Sequence, residues 1–361
     1  MILIKTLILF MSLLIVSQVQ ANSKLPELIT KQDKKNIRFI SDDGKFTYYQ
    51  RVNGIFQFST NYKVEEVIRL KDRTQFNIIA SPNLKYLILE ADQNYNDYLS
   101  LTAKKEIYVI EYGTKNIRKV AEGIPISLHL NDQYISYYNP NERTLNIINH
   151  LNPSIKTVIK MANSLNPYFI PEVQMLDVDT IVYTDINKEG LPGVLLHKVN
   201  SSKTSVIEKL DTPNKRIELC LNNDSLFTGE YGLDPLNKGS TLSQYDFSKS
   251  DKKTANSLPA KNIIYQSGEN DLGSLKCNLD NEKLYIIKTN RTDEGKITTD
   301  AAEIDIKSKT VEILSDILFA TNLVVMDGKL LLPYQNKHYV IKGRNNLTEF
   351  DKLKAKTEEQ Q

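Results

Sequence analysis

Two cysteines, four histidines and one alternating run of oxygen-bearing side chains are the residues whose types and spacing could do chemistry. Cys220 and Cys277 each stand three residues before a turn-forming residue, Asn223 and Asp280. Matching positions in neighbouring repeats would set them at one height on adjacent inner strands. An oxidising compartment would then permit a bridge. A bridge requires Cα atoms within about 7 Å; otherwise the two are small buried residues packed between repeats. The run Thr184 to Gly190 (TDINKEG) sets Asp185, Asn187 and Glu189 at alternate positions before a glycine. Oxygen ligands so spaced begin a calcium loop, in which glycine permits the bend. The acid expected six residues after that glycine is replaced by Leu196. The same residues also make a solvated hairpin tip. Calcium is the one cofactor the sequence suggests, and no other is expected.

The histidines carry less. His129, His150, His197 and His338 stand beside no Ser or Cys nucleophile phrase, and no two share a metal-ligand spacing. His129 and His197 fall within expected strands, where a packed or hydrogen-bonded role is the ordinary one. No catalytic residue is assigned. Three long loops offer binding surface instead: Asp92 to Lys105, Glu230 to Ser240 and Asn290 to Asp300. Loops carry binding, and tyrosine supplies rigid contact area with a polar tip. The candidate partner-binding residues are Asn94, Tyr95, Asp97, Tyr98, Tyr231, Asp234, Asp293 and Glu294.

The elements that must position these residues repeat along the chain. A run of β-branched and aromatic residues meets an Asp/Asn/Gly turn, and a second such run follows. ISDDGKFTYY (Ile40 to Tyr49) and ASPNLKYLILEA (Ala80 to Ala91) are the clearest copies. Looser copies turn near Asn131, Asp177, Asn223, Asp280 and Asp327. Spacing of roughly 40–50 residues is the period of a propeller blade. Asp, Asn and Gly occupy the turns because they tolerate positive φ or bond their own backbone. Each repeat reads as four strands; in the second these are FNIIA, YLILEA, EIYVIEY and NIRKVAE. The expected fold is therefore all-β, a single β-propeller of seven four-stranded blades. The last repeat runs short of chain after His338 to Lys342, so the segment Leu25 to Thr30 is expected to supply its missing strand.

The phrases ISDDGKFTYY and ASPNLKYLILEA resemble the Ser-Pro-Asp-Gly-Lys-aromatic turn of TolB-like and prolyl-oligopeptidase-type propellers. Ser41, Asp43, Gly44 and Lys45 match it in the first repeat, and Ser81, Pro82, Asn83 and Lys85 in the second. The resemblance implies the fold and not the chemistry. The chain departs from TolB-type proteins in having about 15 residues, too few for their N-terminal α/β domain, between the expected cleavage and the first repeat. It lacks the Gly-x-Ser-x-Gly elbow of the peptidases. Sialidase boxes, Ser-x-Asp-x-Gly, fail on spacing because Gly44 follows Asp43 directly.

The ends and the composition bound the rest. Lys5 precedes an apolar stretch, Leu7 to Val16, and a Val19-Gln20-Ala21 run follows. That pattern reads as a signal peptide over residues 1–21, with an apolar stretch well short of the roughly 20 residues that span a bilayer. Residues 22–350 form the expected propeller and 351–361 a charged, disordered tail. Lys and Arg number 46 against 44 Asp and Glu, without the basic excess of a nucleic-acid binder. The expectation is a monomeric periplasmic or secreted propeller, without a membrane span, that binds a protein or other macromolecule on one face. The alternative is an enzyme, a lactonase-like hydrolase or lyase with a cation near the central channel.

Overall fold

The computed structural model describes strands between Ile37 and Glu349, with their connections chiefly within 116–162, 169–213, 224–232, 239–248, 259–267 and 297–315. The expected signal segment, Leu25 to Thr30 and the charged tail lie outside the described residues. The chain divides into two compact units, Met1–Leu70 and Lys71–Gln361.

The first unit holds one antiparallel sheet of β1 (Ile37–Ile40), β2 (Phe46–Arg51), β3 (Gly54–Ser59) and β4 (Val64–Arg69). The second unit holds six more of the same plan. The second sheet is β5 (Gln75–Ala80), β6 (Tyr86–Asp92), β7 (Lys105–Glu111) and β8 (Ile117–Glu122). The third is β9 (Ile124–His129), β10 (Tyr134–Asn139), β11 (Thr144–Asn149) and β12 (Lys156–Lys160). The fourth is β13 (Val173–Met175), β14 (Thr180–Ile186), β15 (Pro192–Lys198) and β16 (Lys203–Lys209). The fifth is β17 (Lys215–Asn222), β18 (Ser225–Gly232), β19 (Ser240–Asp246) and β20 (Lys261–Ser267). The sixth is β21 (Asp271–Cys277), β22 (Lys283–Arg291), β23 (Ile297–Asp305) and β24 (Val311–Ser315). The seventh is β25 (Val324–Met326), β26 (Lys329–Tyr334), β27 (Lys337–Ile341) and β28 (Leu347–Glu349).

Each sheet is a meander of consecutive antiparallel strands. Every Asp/Asn turn position read from the sequence falls between the first and second strand of its sheet. The turn chemistry is visible where it is described. Gln133 N–H donates to Leu130 O at 3.3 Å, with Asn131 at φ 55° and Asp132 at φ 64°. Positive φ at both central residues is a type I′ hairpin turn, whose twist matches that of the strands. At the β13–β14 turn, Asp177 Oδ1 accepts the Asp179 N–H at 2.8 Å, which is an Asx turn.

Among the described residues the core is a series of layers between consecutive sheets of the second unit, because the third to sixth sheets bury both of their faces. Ile88, Ile107 and Val109 meet Leu128, Ile135 and Tyr137 between the second and third sheets. Leu145, Ile147 and Ile159 meet Met175, Ile181 and Tyr183 between the third and fourth. Val182, Val194 and Leu196 meet Ile217, Leu219 and Leu226 between the fourth and fifth. The outermost strand pair shifts register in five sheets: β3/β4, β7/β8, β15/β16, β19/β20 and β23/β24. A bulge there twists the free edge and discourages strand addition.

One expectation needs correction. The seventh sheet takes its fourth strand from Leu347–Glu349, which pairs with β27 through Val340 and Thr348. The chain beyond Lys342 is long enough for a three-residue strand that makes this sheet four-stranded, and Leu25 to Thr30, expected to supply that strand, lie outside the described residues.

The two ends of the sheets differ. The Ala162 N–H, just past β12, donates to Asp185 Oδ2 at 2.7 Å, near the end of β14. The connection from the third sheet therefore reaches the fourth at the end that carries the β14–β15 loop. The 1–2 and 3–4 hairpin turns of both sheets lie together at the opposite end.

Candidate functional site

The three oxygen-bearing residues of the expected calcium loop are turned to different partners. Asp185 is buried and accepts the N–H groups of Ala162 and Ile186. Asn187 Oδ1 accepts the N–H groups of Glu189 and Leu191, both at 2.9 Å. Glu189 pairs with Lys209 at 3.0 Å, and that cation lowers its pKa. The segment is built as a hairpin tip, and no group of three or more His, Cys, Asp or Glu among the described residues is placed to hold a metal.

Tyr231 was expected on an exposed loop and is instead core. It lies in β18, one residue before its end, with 4 % exposure, packed with Phe227, Leu242 and Leu275. The strand simply continues further than its composition suggested. A Cβ on Gly229 would stand 2.3 Å from the Tyr231 hydroxyl oxygen, so glycine makes room for the ring. Asn94, Tyr95, Asp97, Tyr98, Asp234, Asp293 and Glu294 lie outside the described residues. Cys220 and Cys277 form a disulfide between β17 and β21, with Cα atoms 5.7 Å apart.

The chemistry-bearing group that sequence reading missed lies between the fourth and fifth sheets. Alternation along β18 points Leu226, Thr228 and Glu230 to the fourth sheet, and Ser243 and Tyr245 of β19 share that face. Glu208 of β16 enters from the other side. Lys261 of β20 donates to Glu208 Oε1 and, at 3.3 Å, to Glu230 Oε1. Lys215 adds a second cation 3.6 Å from Glu230 Oε2. Both glutamates are buried, while Lys261 keeps 38 % of its side chain exposed. The Thr228 hydroxyl donates to Glu208 Oε2 at 3.4 Å.

The two carboxyls are driven apart. Burial raises the Glu230 pKa, and its hydrogen bond with Glu208 and the charge of Glu208 raise it further. Burial also works against ionised Glu208, but the bonds from Lys261 and Glu230 outweigh it and the net shift is down. The Tyr245 phenol is pushed up by burial and by Glu208. It stands close to that carboxylate without an aligned hydrogen bond, and Ser243 Oγ likewise has no partner among the described residues. Two carboxyls with opposed shifts are the arrangement that divides acid and base roles in a site. The signal in the sequence was faint: an acid at an inward-facing parity, Glu230, two residues after Thr228.

A second charged group lies along the first strands. Arg216 of β17 bonds Glu218 at 2.9 Å and approaches Glu172 at 3.8 Å. Glu218 Oε2 accepts the Leu275 N–H at 2.7 Å, tying β17 to β21. Burial, then the Glu218 charge, raises the Glu172 pKa.

The hairpin end of the third sheet holds a fixed imidazole. Arg118 has only donors, so His150 Nδ1 must accept its Nη2, 2.6 Å away. The opposite nitrogen, Nε2, then carries the proton and donates to Asp132 O at 2.5 Å. His150 is thereby held neutral, and burial lowers its pKa. Just beyond it, Leu151 and Ile155 stand 53 % and 48 % exposed on the β11–β12 turn, and Val178 is 61 % exposed on the β13–β14 turn.

Solved structures share this plan of four-stranded sheets. The chain aligns with a solved chain from a structural and mechanistic study of two prolyl endopeptidases at TM-score 0.58 and 12 % identity, covering 88 % of this chain and 51 % of that one. An oligogalacturonate lyase in complex with manganese aligns at 0.56 and 11 %, covering 84 % and 82 %. The β-propeller domain of the trilobed protease from Pyrococcus furiosus, described as having an open velcro topology, aligns at 0.50 and 10 %, covering 77 % and 83 %. The fold is that of a β-propeller. This propeller spans about half the length of the prolyl endopeptidases, and at such identities the likeness concerns the fold alone. No family model matches it, and no curated protein matches it by sequence. Among the described residues no helix is long and apolar enough to cross a membrane.

Proposed function

We propose that this propeller is an exported binding protein whose sheets form one ring and which grips a protein partner through an end of its sheets. The observation that carries the reading is the trio Leu151, Ile155 and Val178, large apolar side chains in water on hairpin turns at one end of adjacent sheets. Single exposed apolar residues are ordinary; three on neighbouring turns at one end make a surface suited to docking. The ionisable groups of the described residues support the same reading. Glu208, Glu230 and Lys261 are closed on one another, Arg216 on Glu218, and His150 on Arg118. Export rests on the leader-like first 21 residues and on the disulfide, which suits an oxidising compartment. The loops with Asn94, Tyr95, Asp97, Tyr98, Asp234, Asp293 and Glu294 are the second candidate surface, at the end that carries the 2–3 loops.

The test is site-specific photo-crosslinking in the producing cells. A crosslinker at position 155 or 178 captures one discrete partner, and one at Val206, 54 % exposed on the outer strand β16, does not. Equal capture at all three positions, or none at 155 and 178, removes the hairpin end from the proposal.

A further inference from the structure

The charged group between the fourth and fifth sheets is a polar island in an apolar layer. Around it stand Val182, Val194, Leu196, Ile217, Leu219 and Leu226. Sheet packing alone would favour a dry layer there. The chain instead places two carboxyls, two lysines and three hydroxyls in the layer, drawn from five strands. Glu208 comes from β16, Lys215 from β17, Thr228 and Glu230 from β18, Ser243 and Tyr245 from β19, and Lys261 from β20.

The register shows how they meet. Thr228 pairs with Ser243, Glu230 with Thr241 and Leu226 with Tyr245 across β18 and β19, and Lys261 pairs with Tyr245 across β19 and β20. Ser243 thus sits at the centre of a grid bordered by Thr228, Glu230 and Tyr245. The Lys261 ammonium crosses this grid to reach Glu230, and Glu208 closes it from the fourth sheet. Two buried carboxyls that touch one ammonium cannot both be ionised without bringing two anions together out of water.

We infer that Glu208 and Glu230 hold one proton between them, carried on Glu230 and donated to Glu208, and that this proton fastens the fourth sheet to the fifth. The proton comes from and returns to bulk water past Lys261, the member of the group that reaches solvent. With the proton in place, the pair needs only one cation, Lys261, and Lys215 remains at the rim. When the proton leaves, two buried anions face each other across the junction, and it loosens. The directions of the two carboxyl shifts, up for Glu230 and down for Glu208, agree with this assignment. Because the folded pKa of Glu230 is raised above the ordinary 4.5, its stabilisation is complete below that value and is lost as pH rises through the folded pKa.

The experiment uses the full chain with carbon-13-labelled glutamate carboxyls, titrated by NMR, together with thermal melting of wild type and Glu230→Gln. Glutamine keeps a donor to Glu208 and cannot ionise. The expected result is a carboxyl signal, distinct from that of Glu172, that titrates above the ordinary glutamate range and is missing from the variant. The wild-type melting temperature should also fall, relative to that of Glu230→Gln, as pH rises above 4.5. Taking the difference between the two proteins cancels the contributions of His129, His150 and His197, which both share. If no wild-type glutamate other than Glu172 titrates above the ordinary range, or the melting difference is constant with pH, the inference is wrong. Should the variant fail to fold, the titration is read in Glu172→Gln, where one raised carboxyl signal must remain.

Discussion

The two faces of the fifth sheet are held by different physics. Toward the sixth sheet, Cys220 is bonded to Cys277, and Phe227, Tyr231, Leu242 and Ile264 pack against Leu275, Leu284 and Ile286. Toward the fourth sheet, the apolar layer is interrupted by Glu208, Glu230 and Lys261. The first junction is chiefly covalent and apolar, with one carboxylate, Glu218, bonded across it to the Leu275 N–H, so its strength depends first on redox state. The second is ionic and hydrogen-bonded, so its strength depends on pH and on a single partly exposed lysine. One sheet thus joins a junction that stays closed in an oxidising medium to one that answers to protons.

That contrast can be broken in four places. The largest effect is expected from Cys220→Ser. The bridge closes a separation of 57 residues, and chain entropy assigns such a crosslink about 4 kcal/mol. Urea unfolding should show the loss, and dithiothreitol should bring the wild type to the same midpoint. A wild type indifferent to reductant would mean that the sixth-sheet junction does not depend on the bond.

Acid should act elsewhere, in the third sheet. His129 is 6 % exposed, bonds Ser136 Oγ at 2.8 Å, and burial lowers its pKa to about 4. Its neutral form is the one the fold accommodates, so its contribution is complete above the unfolded value of 6.5 and is lost as pH falls toward 4. The size is about 3 kcal/mol across that window. Unfolding free energy measured from pH 7 to 4 should show this slope, and His129→Gln should flatten it. An unchanged slope in the variant would move the acid sensitivity to another group.

Lys261→Met removes the shared cation and leaves Glu208 and Glu230 facing each other. Breaking a buried pair costs several kcal/mol, but Lys261 is 38 % exposed, and solvent screening cuts the expected loss to about 2 kcal/mol. The loss should be greatest at alkaline pH, where Glu230 is ionised; a loss equal at all pH values would reduce the lysine to packing. The smallest effect is expected from Ser243→Ala. Its hydroxyl has no partner among the described residues, so thermal melting should change by less than about 1 kcal/mol. A larger loss would reveal a hydrogen bond at the centre of the grid.

Much of the fold was legible because its signals are local. FNIIA, YLILEA, EIYVIEY and NIRKVAE correspond to β5, β6, β7 and β8 within a residue or two at each end, since alternation and turn chemistry act over a few residues. Tyr231 was misread because composition alone does not say where a strand stops: the Glu230-Tyr231-Gly232 segment looked like the start of a loop and is paired with β17 through Arg216 and Lys215. The calcium-like phrase at Asp185 shows a similar limit of sequence reading. Ligand spacing says nothing about where a carboxylate points, and this one turns inward to the Ala162 N–H. The Glu208–Glu230–Lys261 group was invisible because its members lie 31 and 53 residues apart. No sequence period links an outer strand of one sheet to the second and fourth strands of the next.

By itself the sequence determined the repeat, the four-strand plan and the hairpin turns. Those follow from side-chain alternation and from backbone preferences of Asp, Asn and Gly, which need no knowledge of distant residues. Tertiary structure alone decided which acids are buried, which lysine reaches them, which tyrosine is core, and which apolar side chains remain in water. Those outcomes depend on how consecutive sheets stack, where desolvation and charge act across space and not along the chain.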